Sequence, residues 1–200
     1  MNGSLRVGSD GVNRCWWCGD DELYQKYHDT EWGWALHGEN KVFEKLILEG
    51  MQAGLSWITI LRKRENFRLA FRNFDIDTVA AFDDHDVARL MDDAGIVRNR
   101  AKIEASVSNA QAYLAIPDFS AYLWDFMDGV PLDNRRQGHG DIPTKTPLAE
   151  KMSRDLLKRG FRFVGPTIVY AFMQACGLVN DHVVSCHRHG AVSNAAHRAR

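Results

Sequence analysis

The segment GLVNDHVVSCHRHG, Gly177 to Gly190, places three histidines, one cysteine and one aspartate within fourteen residues. His182 and Cys186 stand four apart, so on a helical turn they share a face and suit two ligands of one ion. A closed tetrahedral site needs two more. The other end of the chain offers them in NRCWWCGDDELYQKYHDTEWG, where Cys15 and Cys18 form a CxxC and His28 follows ten residues later. Two sets compete: Cys15, His28, His182 and Cys186, or Cys15, Cys18, His182 and Cys186. The CxxC spacing favours the second, while the bulky Trp16 and Trp17 fit a tight knuckle poorly and speak against it. Either set leaves no open coordination position. The expected ion is therefore a structural Zn2+ that pins the N-terminal segment to the C-terminal one. His187 and His189 are expected at the surface, and Cys176, after the apolar YAFMQA, in the core.

A second centre of chemistry lies in LILEGMQAGLSW. Helical spacing puts Val42, Leu46, Glu49, Ala53 and Trp57 in one row, so Glu49 falls on or beside an apolar stripe. A buried carboxylate needs a partner, either an arginine such as Arg98, a helix N-terminus, or a ligand bearing N–H groups or positive charge. Tyr24, Tyr27 and His28 form a further group, with Trp32 and Trp34 close behind. Aromatic faces plus one isolated carboxylate describe a slot for a planar heterocycle.

A third feature is LLKRGFRFVGPTIVYAFMQACG. It reads as helix, glycine-bounded turn, helix, with Phe161 and Val164 plugging the turn into the core. The second helix starts at Gly165-Pro166 with unpaired amides, which suit a phosphate, and Lys158, Arg159 and Arg162 add charge. This is the pattern of a clamp for a DNA backbone.

The elements that must position these groups read as helical throughout. NKVFEKLILEGMQAGLSWITILRKRENFRLAF has helical apolar spacing, VAAFDDHDVARLMDDAG two short helices split near Asp83 and Asp84, and NRAKIEASVSNAQAYLAI a helix stopped near Pro117. Thr146 caps a helix with Pro147 at its first position. Asp128 to Pro143 reads as a loop, and no period-2 strand stands out. The formal net charge of the 200 residues is -1, but seven acidic residues and one basic fall between Asp75 and Asp93, against eight basic and three acidic between Arg135 and Arg162. No apolar run approaches the roughly 18 residues of a membrane span. Four cysteines without an apolar leader fit a reducing cytosol.

The stretches RCWW, DELYQKYHDTEWG, LILEGMQAGLSWITILRKRENFRLAF, DDAGIVRNRAKIEASVSNAQAYL and KRGFRFVGPTIVYAFMQACGLVNDHVVSC, in that order from Arg14 to Cys186, resemble 3-methyladenine DNA glycosylase I of bacteria, within the helix-hairpin-helix glycosylase superfamily. The loop from Asp128 to Pro143 carries the weakest likeness. The resemblance implies an all-α glycosylase domain over residues 14–189, its hairpin at about 149–177, between flexible tails 1–13 and 190–200. It implies zinc on Cys15, His28, His182 and Cys186, and a base site of Glu49 with Tyr24, Tyr27 and Trp57 around the purine. Gly160, Phe161, Arg162, Phe163, Val164 and Gly165 would meet the DNA backbone. The implied activity is monofunctional: N3-methyladenine is flipped from double-stranded alkylated DNA and its N-glycosidic bond hydrolysed, leaving free base and an abasic site. The expected protein is a monomer of the bacterial cytoplasm, at the nucleoid when acting, without nucleotide cofactor or membrane partner. Asn180 stands where the wider superfamily carries an aspartate, with Asp181 displaced by one, which agrees with this branch. The rival readings are a glycosylase/lyase, which needs a nucleophilic lysine, a non-enzymatic zinc-bearing DNA-binding module, and a zinc hydrolase, which needs an open coordination position.

Overall fold

The structure, a computed structural model, describes residues 5–198. In chain order the elements are β1 (Leu5–Val7), β2 (Asn13–Cys15), α1 (Glu22–Thr30), α2 (Glu39–Gln52), α3 (Trp57–Ala70), α4 (Ile76–Ala80), α5 (Asp84–Asp92), α6 (Arg100–Leu114), α7 (Phe119–Asp125), β3 (Leu132–Asp133), α8 (Pro147–Lys158), α9 (Pro166–Ala175), β4 (Val179–Asn180) and α10 (His189–Arg198). The protein is helix-rich, and none of its described helices is long and apolar enough to cross a membrane. The chain divides into two compact units. One comprises Met1–Leu36, Trp124–Thr144 and Met173–Arg200; the other comprises His37–Leu123 and Lys145–Phe172.

In the first unit, β1 and β2 pair antiparallel with Leu5 opposite Cys15. Within residues 1–13, expected as a flexible head, Leu5–Val7 is thus a strand; residues 1–4 lie outside the described residues. The Asp128–Pro143 loop is likewise built. Its β3 pairs in parallel with β4, Leu132 opposite Val179, and the Val184 amide donates to the Arg136 carbonyl at 2.8 Å. Asp181 anchors this arrangement: wholly buried, it accepts from Asn134 Nδ2 (2.7 Å), Arg136 Nε (2.9 Å) and Gln174 Nε2 (2.7 Å). A buried carboxylate satisfied by three donors holds its loop firmly. Gly177, at φ +68°, is where two segments nearly touch: a Cβ there would sit 2.3 Å from the carbonyl carbon of Trp34. The expected C-terminal tail 190–200 is helical through Arg198. Its Val192 is buried, and Ser193 Oγ donates to Asp133 at 2.8 Å; residues 199–200 lie outside the described residues. These strands of two or three residues are too short for an alternating pattern to register, which is why the sequence reads as purely helical.

The second unit is built on α2, whose residues Val42 to Met51 are all buried. Helix α2 packs on α3 and α6, and Phe43, Phe67, Phe71, Phe74 and Phe119 fill the core. The helix starts are written locally: Asp75, Asp83, Asn99 and Thr146 each accept an amide from the first turn. The expected long helical stretch breaks between Gln52 and Trp57, where Gly54 sits at φ +80°. Ala53 and Trp57 therefore leave the row that carries Val42, Leu46 and Glu49. At the C-terminal end of α2, Lys102 Nζ donates to the carbonyls of Met51 (2.8 Å) and Ala53 (2.6 Å), satisfying groups that a helix end leaves unpaired.

The turn between α8 and α9 behaves as its sequence suggests. Phe161 and Val164 are buried, and Gly160 adopts φ +93°. Asn109 clasps Arg162 on both sides, accepting its amide at 2.7 Å and donating to its carbonyl at 3.0 Å, while Ser153 Oγ donates to the Val164 carbonyl at 2.6 Å. The turn also meets α2: a Cβ on Gly50 would lie 3.5 Å from Phe163 Cβ.

Candidate functional site

Two buried polar centres stand out, one in each unit. In the first, Cys15, His28, His182 and Cys186 bring one ligand atom each to within 4.8 Å of one another, and all four are buried. Cys15 ends β2, His28 lies in the last turn of α1, and His182 and Cys186 follow β4. The sulfur–nitrogen separations are 3.6 Å for Cys15–His182, 3.6 Å for Cys186–His182 and 3.5 Å for Cys186–His28. A tetrahedral ion with metal–sulfur and metal–nitrogen bonds of usual length has sulfur–nitrogen edges of about 3.6 Å. The donor set and its spacing fit a metal ion.

The second contacts of the imidazoles fix which nitrogen faces the centre. His28 Nδ1 lies 2.7 Å from Asp29 Oδ1, and His182 Nε2 lies 3.0 Å from the Trp32 carbonyl. A carboxylate and a carbonyl only accept, so these nitrogens carry the protons. The inward His28 Nε2 and His182 Nδ1 keep lone pairs for a metal; the Cys15 amide 3.2 Å from His28 Nε2 agrees. Burial lowers the pKa of His182, which favours the neutral ligand form. Asp29 stays below the usual carboxylate range: partial burial opposes this, but hydrogen bonds from Arg14 and His28 prevail. Hydrogen bonding to Cys186, together with burial, pushes the Cys15 thiol up, and Cys186 is pulled down by accepting from Cys15.

Cys18 takes no part. Its thiol donates to the Cys15 carbonyl at 3.2 Å, and burial pushes its pKa up to about 11. The CxxC pairing weighed from spacing is therefore not what the fold assembles. Cys176 is buried, as expected. His189 is buried too, against expectation, since its Nε2 meets Asp133 Oδ1 at 3.1 Å; His187 is exposed, as expected.

Tyr24 and Tyr27 gather around a residue that sequence reasoning overlooked, Trp17, at centroid distances of 5.0 and 6.3 Å. Trp17 also meets Trp32 at 4.9 Å, and Trp32 stands edge-on to His182 at 4.6 Å. Trp32 thus walls the Cys/His centre. Trp34 serves another contact, with Arg188 stacked at 4.8 Å. Asp29 was also missed, although its place beside His28 was the available signal.

The second centre is Glu49. It is 3 % exposed, and its Oε2 is buried without a hydrogen-bond partner. The arginine partner weighed from sequence is absent. Arg98 is exposed, and the arginine that reaches α2, Arg68, makes a forked pair with Glu44 at 2.8 to 3.2 Å. Burial pushes Glu49 up to about 8, with the charge of Lys45 pulling the other way. Trp57, the first residue of α3, is buried, and Lys45 Nζ stands 5.9 Å from the centre of its ring. Leu55, beside them in sequence, is exposed. Lys45 itself was missed by sequence reasoning, although it stands one helical turn before Glu49.

Comparison with known proteins adds an independent finding. A family profile described as methyladenine glycosylase matches residues 17–189. The chain is 50 % identical over 179 residues to DNA-3-methyladenine glycosylase 1 of Escherichia coli K12, covering 88 % of this chain and 96 % of that protein. A crystal structure of 3-methyladenine DNA glycosylase I superposes with a TM-score of 0.85 at 49 % identity, over 87 % of this chain and 98 % of the other. A structure from Staphylococcus aureus, solved to explain 3-methyladenine recognition, superposes at 0.81 with 40 % identity, over 84 % and 91 %.

Proposed function

This chain belongs to the methyladenine glycosylase family, and from that premise we propose how its own residues excise 3-methyladenine from alkylated DNA. N3-methyladenine carries a positive charge while joined to deoxyribose and departs as a neutral base. It therefore needs little help from a general acid. The enzyme's tasks are to take the nucleotide out of the duplex and hold it while the C1′–N bond breaks. Water then adds its oxygen to C1′ of the oxocarbenium-like sugar and loses a proton, leaving an abasic site and free base.

Glu49 is the recognition group in this reading. Its side-chain oxygen accepts hydrogen bonds from the exocyclic amine edge of the base, and its negative charge favours the cationic lesion over neutral adenine. Trp57, in the same unit as Glu49, supplies a ring face for the purine. The observation that carries the assignment is the buried, unpartnered Glu49 Oε2. A fold that satisfies Glu44 with Arg68 and Asp181 with three donors leaves Glu49 Oε2 buried without one. A ligand's N–H groups are the natural complement.

The α8–α9 turn is read as the hairpin of a helix-hairpin-helix clamp. Within the Gly160–Gly165 turn, the amides of Phe163 to Gly165 and the start of α9 would hold a backbone phosphate of double-stranded DNA, with exposed Lys158, Arg159 and Arg162 alongside. Such contacts position without reading sequence, and a monomer suffices. Zinc is the ion that the two-cysteine, two-histidine set suits best, held by Cys15, His28, His182 and Cys186. It would supply structural closure of the first unit and no chemistry at C1′. Action on chromosomal DNA places the protein in the bacterial cytoplasm.

The test is chromatography of bases released from methylated duplex DNA by the wild type and Glu49→Gln. Loss of about 100-fold or more in 3-methyladenine release is expected. Unchanged release would remove Glu49 from recognition.

A further inference from the structure

Lys45 is a buried lysine inside the most buried helix of the protein, at 7 % exposure. A buried ammonium is costly unless something nearby gains from it. The helix dipole offers no gain, because Lys45 lies mid-helix and on the N-terminal side of its acidic neighbour, the weaker order for such a pair. Two groups do gain. Glu49 stands at i+4 on α2 and feels the charge of Lys45, and the face of Trp57 receives the ammonium at 5.9 Å. Both are residues assigned above to the base. The other charged groups that face this part of α2 are already engaged. Arg68 of α3 is taken by Glu44, and Lys102 of α6 has its amine on the Met51 and Ala53 carbonyls. On the 3-10 turn after α3, Arg72 is exposed.

We propose that Lys45 is a positioning residue for base recognition: its ammonium favours the ionised form of Glu49 and holds the indole of Trp57 in place. The inference rests on the reading of Glu49 as the group that meets the base. It explains how a carboxylate buried among apolar side chains stays within reach of its anionic form when the cationic purine arrives. A neutral Glu49 would lose most of its preference for the charged lesion over ordinary adenine. Because the N3-methylated nucleotide in DNA is permanently cationic, the acid limb of the reaction reports on the enzyme's carboxylate.

Single-turnover release of 3-methyladenine from methylated duplex DNA, measured from pH 5.5 to 9.5, tests this with wild type, Lys45→Met, Lys45→Arg and Glu49→Gln. Removing the cation raises the Glu49 midpoint, so the acid limb of Lys45→Met moves upward by about one pH unit or more. Its rate at pH 7 falls about tenfold and recovers toward pH 9. Lys45→Arg, which keeps the charge, restores the wild-type midpoint. A merely structural role would lower the rate at every pH and leave the midpoint fixed, and that result overturns the proposal. Should Lys45→Met fail to fold, the wild type is titrated with 13C-labelled glutamate carboxyls and 15N-labelled lysine amines. The Lys45 amine signal should inflect at the Glu49 midpoint, and a flat Lys45 trace overturns the proposal. Full turnover by Glu49→Gln would instead sink the underlying reading of Glu49. Lost turnover in Glu49→Gln with an unmoved midpoint in Lys45→Met sinks only the role of Lys45.

Discussion

The Cys/His centre and the Glu49 centre are both built from buried polar groups, yet the fold treats them in opposite ways. Around the first, each histidine has one nitrogen held by a protein oxygen and the other turned to a common point with two sulfurs. Its polar atoms are all answered from within the first unit. Around the second, a carboxylate oxygen is left without a donor, with a lysine acting on it only through its charge. A closed set of donors makes a fastening. A buried carboxylate kept short of donors is unstable in itself and is suited to receiving something from outside.

Substitution should separate the two, and the largest effect falls on the closed centre. Cys15→Ala, His28→Ala, His182→Ala or Cys186→Ala should each abolish stoichiometric metal, measured by elemental analysis. Each should also lower stability by several kcal/mol or leave the protein unfolded. Full metal content in any one of them would break the comparison. Next in size is Asp181→Asn, which removes the buried charge opposite half-buried Arg136 and is expected to cost about 3 kcal/mol in urea unfolding. A neutral result would show that the loop it anchors is held by other contacts.

Glu49→Gln should move stability the other way. The folded midpoint of Glu49 is near 8, against about 4.5 unfolded. Between these values the folded state binds the proton more strongly, so this group's contribution to stability falls as pH rises from about 4.5 to about 8. The variant lacks that slope. Its melting temperature should match the wild type near pH 4.5 and exceed it above pH 8, a gain on the order of 2 to 4 kcal/mol. A variant less stable than wild type at pH 8.5 would mean that the carboxylate is satisfied after all. The smallest effect is reserved for Cys18→Ala. Metal content should be unchanged and stability lower by about 1 kcal/mol, the cost of trimming a small buried side chain.

Much of this molecule is local and therefore readable. The caps at Asp75, Asp83, Asn99 and Thr146 follow from side chains that compete for backbone amides, whereas the break at Gly54 lay hidden inside an apolar spacing that reads as continuous helix. The plugging of the α8–α9 turn by Phe161 and Val164 was equally plain, because apolar residues between two glycines have only the core to enter. The short strands were not readable. β3 and β4 are two residues each, and their pairing joins segments more than forty residues apart. Nor was the structured C-terminus, where a small-residue helix is fastened by one valine and one serine.

The ligand candidates were written in the chain, because cysteine and histidine four apart on one turn is a local fact. Glu49 was likewise marked by its place among apolar neighbours. The spacing left Cys15 and Cys18 in competition over which set would bind. Only the tertiary structure turned the Cys18 thiol back onto the Cys15 carbonyl and brought His182, 167 residues away, to Cys15 Sγ. Only it gave Glu44 an arginine and Glu49 none. The physical reason is one of range. Capping and periodicity are decided by atoms a few bonds apart, whereas coordination and the satisfaction of a buried charge depend on which distant atoms the packed chain brings within about 3 to 4 Å.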